Sequence, residues 1–162
     1  MANCLFIIDV QAGFLTEETR HVVDKILHDI DTKKYDYIMA SRFINVQGSP
    51  FMEIMGWYGV ASPDQVEINP FIYKKANKII SKNGYTALTT EAKKYITKNN
   101  ITEVYIVGID TDCCVLGTAK DLFEFNKKTY IIKELCASTG GVESHKAGIK
   151  VLERLLGKQF II

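Results

Sequence analysis

The stretch from Val104 to Ala119 constrains what this chain can fold into more than any other. Val104-Tyr105-Ile106-Val107 is an apolar, largely β-branched run, the pattern of a strand buried on both faces. Gly108 ends it, and Asp110, Thr111 and Asp112 offer helix-capping side chains. Val115, Leu116, Ala119, Leu122 and Phe123 then recur at helical spacing, with Lys120, Asp121 and Glu124 between them. Cys113 and Cys114 stand where that helix begins. Free backbone N–H groups and the positive end of a helix dipole stabilise a thiolate there, and the same N–H groups can hold an oxyanion. The segment therefore suits a nucleophile elbow for acyl transfer. A cysteine that only packs at a helix start explains the same residues about as well.

The rest of the chain repeats the strand–helix alternation. Cys4-Leu5-Phe6-Ile7-Ile8 is a strand ending at Asp9, followed by a loop and a helix marked by Val22, Val23, Ile26, Leu27 and Ile30. Tyr35–Ala40 is a second strand. Periodicity is lost from Ser41 to about Pro70, a long irregular segment of the kind that covers a site, in which Phe51, Met52, Ile54, Met55, Trp57 and Tyr58 suit a pocket wall, an oligomer contact or plain loop packing. Lys78–Ser81 is a strand leading into Lys82, and Thr90–Lys98 a helix. Thr129–Ile132 is a further strand, Glu143–Leu155 a last helix, and Phe160–Ile162 a sixth, terminal strand. Such alternation predicts a mainly parallel six-stranded sheet in a three-layer α/β/α, Rossmann-like domain spanning residues 1–162. Ligands of such sheets bind beyond the carboxyl ends of the strands. Asp9, Lys82 and Cys114 each follow a predicted strand at that edge, which favours the elbow over the packing cysteine.

Composition excludes several other classes. A formal net charge of +1 over 162 residues, with no basic stripe, argues against a nucleic-acid partner. No apolar run is long enough for a membrane span. The four cysteines have neither CxxC nor secreted-scaffold spacing, which points to a reducing, cytoplasmic setting.

Three segments together resemble the isochorismatase-like cysteine hydrolases, the superfamily of nicotinamidases and related small-amide hydrolases. They are Ile7-Ile8-Asp9-Val10-Gln11-Ala12-Gly13-Phe14; Ser81-Lys82 with Tyr85-Thr86-Ala87-Leu88; and Val107-Gly108-Ile109-Asp110-Thr111-Asp112-Cys113-Cys114-Val115 with Thr118-Ala119. Each is weak alone; in register they are specific. The resemblance implies Cys114 as nucleophile, Asp9 as general base and Lys82 as third catalytic residue. It also implies a cis Ile109–Asp110 peptide that turns the Asp110 N–H to join that of Cys114 as an oxyanion hole. Asp9 as a simple cap and Lys82 as one more surface lysine stay open beside these roles, and so do Gln11 and Phe14 as loop packing rather than pocket walls.

Two departures from the family pattern shape the expected chemistry. Metal-binding nicotinamidases carry an Asp-x-His segment after the second strand, where this chain has Ser41-Arg42-Phe43-Ile44-Asn45-Val46. Its histidines, His21, His28 and His145, lack zinc-ligand spacing, so no metal and no cofactor is expected. Arg42 offers a fork for a carboxylate and Asn45 an amide for hydrogen bonding. A substrate that carries a carboxylate is narrowly favoured, and a structural salt bridge from Arg42 to Asp36 or Glu53 accounts for it nearly as well. The expected activity is cysteine-dependent hydrolysis of a small amide or carbamoyl compound through a thioester, by a homo-oligomer with no nucleic-acid or membrane partner. The competing reading is a ligand-binding or redox-sensing protein that retains the fold without turnover.

Overall fold

The computed structural model describes residues 1–162. In chain order the elements are β1 (Ala2–Ile8), α1 (Val22–Thr32), β2 (Tyr37–Phe43), the short helices α2 (Pro50–Glu53), α3 (Pro63–Val66) and α4 (Pro70–Lys75), β3 (Lys78–Lys82), α5 (Thr90–Lys98), β4 (Ile101–Ile109), α6 (Leu116–Glu124), β5 (Lys128–Ala137) and α7 (Gly141–Leu156). The segment that lost periodicity in the sequence is thus broken into turns of helix. Its three prolines each open one, at the first helical position where a missing N–H costs nothing. No helix is long and apolar enough to cross a membrane.

All strand pairs are parallel, in the order β3-β2-β1-β4-β5. Along β1 the side chains alternate: Cys4, Phe6 and Ile8 pack with α5, α6 and α7, while Leu5 and Ile7 pack with α1 and α4. Both faces are covered, so β1 reads as an unbroken apolar run. The sheet has five strands rather than the expected six. Gly157, at φ 99°, ends α7, and a 3-10 turn (Lys158–Phe160) takes up the next residues. Only Ile161 then makes a bridge, to Ile131, too little pairing for a strand.

The chain runs outward from β1 through β2 to β3, then crosses back to place β4 on the other side of β1. Strand order reverses between β1 and β4, and the loops after them diverge there to leave a crevice. Gly108 permits the close approach on which this depends. It pairs with Ile8, holds φ at 119°, and a Cβ there would lie 2.2 Å from the Ile8 carbonyl oxygen. Gly108→Ala is expected to cost about 2–4 kcal/mol, since backbone cannot yield as a side-chain end can. A urea midpoint equal to wild type would contradict this packing of β1 on β4.

Candidate active site

Asp9 is the first residue past β1 and adopts the left-handed conformation, φ 49°. Ser41 on β2 holds it twice: the hydroxyl accepts from the Asp9 N–H at 3.1 Å and donates to Oδ1 at 2.6 Å. Lys82, the last residue of β3, reaches over the end of β2 and brings Nζ to 2.7 Å from Asp9 Oδ2, with both side chains excluded from solvent. An ammonium has three N–H donors. Those of Lys82 meet Gly84 O at 2.9 Å, Tyr85 O at 3.1 Å and Cys114 Sγ at 3.3 Å. Asp9 Oδ2 is held by that 2.7 Å ion pair and accepts no further hydrogen bond, so one of its lone pairs stays available to the thiol.

Cys114 lies in a π-helical turn, Thr111–Val115, that leads into α6. The N–H groups of Cys113 and Val115 both converge on the Asp110 carbonyl oxygen, at 3.1 and 3.0 Å. The Ile109–Asp110 peptide is cis, and the Asp110 N–H finds no acceptor in the chain. Thr139, just beyond β5, clamps the Asp110 carboxylate, its N–H donating at 2.6 Å and its hydroxyl at 2.9 Å.

The electrostatics differ from a simple helix-start thiolate. Burial and the Asp9 carboxylate together raise the Cys114 thiol well above its ordinary value, and Lys82 only partly offsets them. Burial alone would lower Lys82, but Asp9 and Cys114 hold it above its usual range. The surroundings of Cys114 thus favour the thiol over the thiolate, with Lys82 opposing them. Cys113 is pushed up to about 11 by burial and by Asp112 and Asp110, with no ammonium to oppose them. Cys4 and Cys136 are buried thiols held near about 12.

A cavity of about 370 Å³ opens over Cys114, with Phe14, Phe43, Phe51, Trp57 and Tyr85 on its walls. Phe14 and Trp57 from the candidate residues do line it. Gln11 does not: its side chain is fully buried and pairs with both backbone groups of Phe43, donating to O at 2.9 Å and accepting from N at 2.7 Å. Asn45 is likewise structural, its amide donating to Trp57 O and Gly59 O and its oxygen accepting from Ser49 Oγ. It anchors the loop that carries Trp57. Arg42 lies outside the cavity walls and donates to Ser81 Oγ at 3.1 Å. Alternation along β2 explains this: Ser41 and Phe43 face the site, so Arg42 points the other way. Thr139, Tyr85 and Phe43 were not singled out from sequence. The signal for Thr139 was its position just past a strand at the carboxyl edge of the sheet.

No three His, Cys, Asp or Glu side chains converge as a ligand set. His145 is paired with Thr111 Oγ1 at 2.7 Å, and Asp9 is engaged by Lys82 and Ser41. These residues do not fit a metal.

Comparison with known proteins agrees with this layout. The isochorismatase domain family matches residues 3–160. No curated protein sequence matches the chain. Among solved structures, an isochorismatase-like hydrolase from Alkaliphilus metalliredigens superposes with TM-score 0.81 at 15% identity, over 99% of this chain and 91% of that one. The nicotinamidase of Bacillus subtilis gives 0.78 at 19%, covering 97% of each chain. The N-carbamoylsarcosine amidase of Thermoplasma acidophilum gives 0.77 at 19%, covering 94% of this chain and 93% of the other. These likenesses are in fold, whereas the family match extends over nearly the whole sequence: the chain belongs to the isochorismatase family of hydrolases.

Proposed function

We propose that the chain is a cysteine-dependent hydrolase of a small amide or carbamoyl compound. The observation that carries this reading is the buried Asp9–Lys82 ion pair, 2.7 Å apart, set against a Cys114 thiol that Lys82 contacts at 3.3 Å. Cys114 Sγ attacks the carbonyl carbon as its proton passes to Asp9, so a raised thiol pKa is no obstacle: the base acts during attack rather than before it. Lys82 offsets the charge that develops on sulfur. The backbone N–H groups of Asp110 and Cys114 receive the oxyanion. Asp9 then gives its proton to the departing nitrogen, and the C–N bond breaks to leave a thioester on Cys114. Water, losing a proton to Asp9, cleaves the thioester and releases the acid, and the thiol recovers its proton.

The test is a panel of primary amides and ureas assayed for ammonia release, with mass spectrometry for an acyl group on Cys114. Release without any acylation of Cys114 would overturn the thioester route. No release from any member of a broad panel would favour a ligand-binding protein that keeps the fold. Because no donor set suits a metal, EDTA or phenanthroline should leave turnover unchanged, and elemental analysis should find no stoichiometric metal. Loss of activity on chelation with recovery on adding zinc would contradict the proton route through Asp9 and Lys82.

A further inference from the structure

The walls of the cavity over Cys114 are aromatic, and their charge is one-sided. Asp110 is the sole acid among the lining residues, and none of them is Lys, Arg or His. Lys82, beneath the floor, is committed to Asp9 and covers the ring of Phe43, with Nζ 5.1 Å from its centroid. Phe14, Phe51, Trp57 and Tyr85 pack on one another, stacked or edge-on, and together turn an aromatic surface to the cavity. Burial raises the Asp110 carboxyl above its ordinary value, and the hydrogen bonds from Thr139 oppose that rise and fix its position. Thr139 gives one donor to each carboxylate oxygen, and a carboxylate has room for about four. A partly desolvated carboxylate with spare acceptor positions, set among aromatic faces, favours a cation that can donate hydrogen bonds. Cys114 lines the same cavity with the buried Asp9–Lys82 pair behind it, so the ligand's reacting end belongs there.

Resting on the amide-hydrolase reading above, we infer that the substrate is a small amide whose non-reacting end carries a protonated amine or another cationic nitrogen, and that Asp110, clamped by Thr139, selects it. This reverses the expectation of a carboxylate-bearing substrate, which depended on Arg42. It also gives Asp110 a part in turnover. The hydrolysis product bears a new carboxylate, and the Asp110 charge repels it from the cavity.

Three para-substituted benzamides serve as probes: 4-(aminomethyl)benzamide, 4-methylbenzamide and 4-carbamoylbenzoate. Binding is read in the Cys114→Ala protein from the fluorescence of Trp57, the chain's single tryptophan, which lies on the cavity wall. The cationic amide should bind about tenfold or more tightly than the neutral one, and the anionic amide most weakly. Adding Asp110→Asn should bring the cation's advantage to within about twofold while the neutral probe's Kd stays put. Arg42→Ala should leave the order unchanged. Equal affinities, a preference for the anion, absence of binding by all three, or a cation preference that survives Asp110→Asn would overturn the inference. If Asp110→Asn does not fold, the order in the Cys114→Ala protein decides the matter. Ammonia release from 4-methylbenzamide by the wild type separates this inference from the activity. Turnover without a charge order in binding sinks the substrate class alone. A charge order without turnover or acylation by the three, and with no release from the broad panel, sinks the hydrolase reading and leaves only a cation-selecting cavity.

Discussion

Cys114→Ala or Cys114→Ser is expected to lower turnover by about 10⁴-fold or more, while Cys113→Ala leaves most of it. The two thiols are neighbours in sequence and both line the cavity, so the contrast rests on what surrounds them. Cys114 Sγ has the Lys82 ammonium at 3.3 Å, and Lys82 in turn holds the Asp9 carboxylate at 2.7 Å. Cys113 has neither, and burial, with Asp112 and Asp110, raises its thiol. Removing Cys114 deletes the atom that forms the bond; removing Cys113 deletes part of a wall. Steady-state kinetics of the three variants, with acylation mapped by mass spectrometry, would decide it. Equal losses from Cys113→Ala and Cys114→Ala would mean that the pair acts jointly.

What was legible from sequence divides along a physical line. The meeting of Asp9, Lys82 and Cys114 could be read because a polar side chain at the carboxyl end of a buried strand has few places to go except the sheet's edge. The side chains of Gln11 and Asn45 could not, because an amide is equally suited to a ligand and to nearby backbone. Which it meets depends on a loop path that sequence does not reveal. Arg42 went wrong through parity. Ending the second strand at Ala40 left its direction open, whereas the observed strand to Phe43 assigns it by alternation to the face away from the site. The sixth strand failed because an apolar triplet, Phe160-Ile161-Ile162, has strand composition but follows a turn that leaves only one residue to pair. Thr139 escaped notice because a clamp on Asp110 joins segments that are apart in sequence.

The second large effect concerns Asp9, where reactivity and turnover should move in opposite directions. Asp9→Asn removes the acceptor for the thiol proton, so turnover should fall by about 10²–10⁴-fold. The same change removes the carboxylate that raises the Cys114 thiol and leaves Lys82, which lowers it. Cys114 should therefore ionise at lower pH in the variant than in wild type and react faster with iodoacetamide at neutral pH. Lys82→Met should do the reverse, because the carboxylate and burial then act unopposed: a higher thiol pKa and slower alkylation, again with little turnover. Both variants break a buried pair and should cost about 3–5 kcal/mol of stability, so thermal melts must first show that each is folded. Alkylation rates followed against pH, in a Cys113→Ala background to isolate Cys114, give the sign directly. Shifts of the same sign in the two variants would mean that Asp9 and Lys82 do not bracket the thiol as the 2.7 Å ion pair and the 3.3 Å sulfur contact require. Opposite shifts accompanied by full turnover in Asp9→Asn would remove Asp9 as the base, leaving it as an electrostatic partner of Lys82.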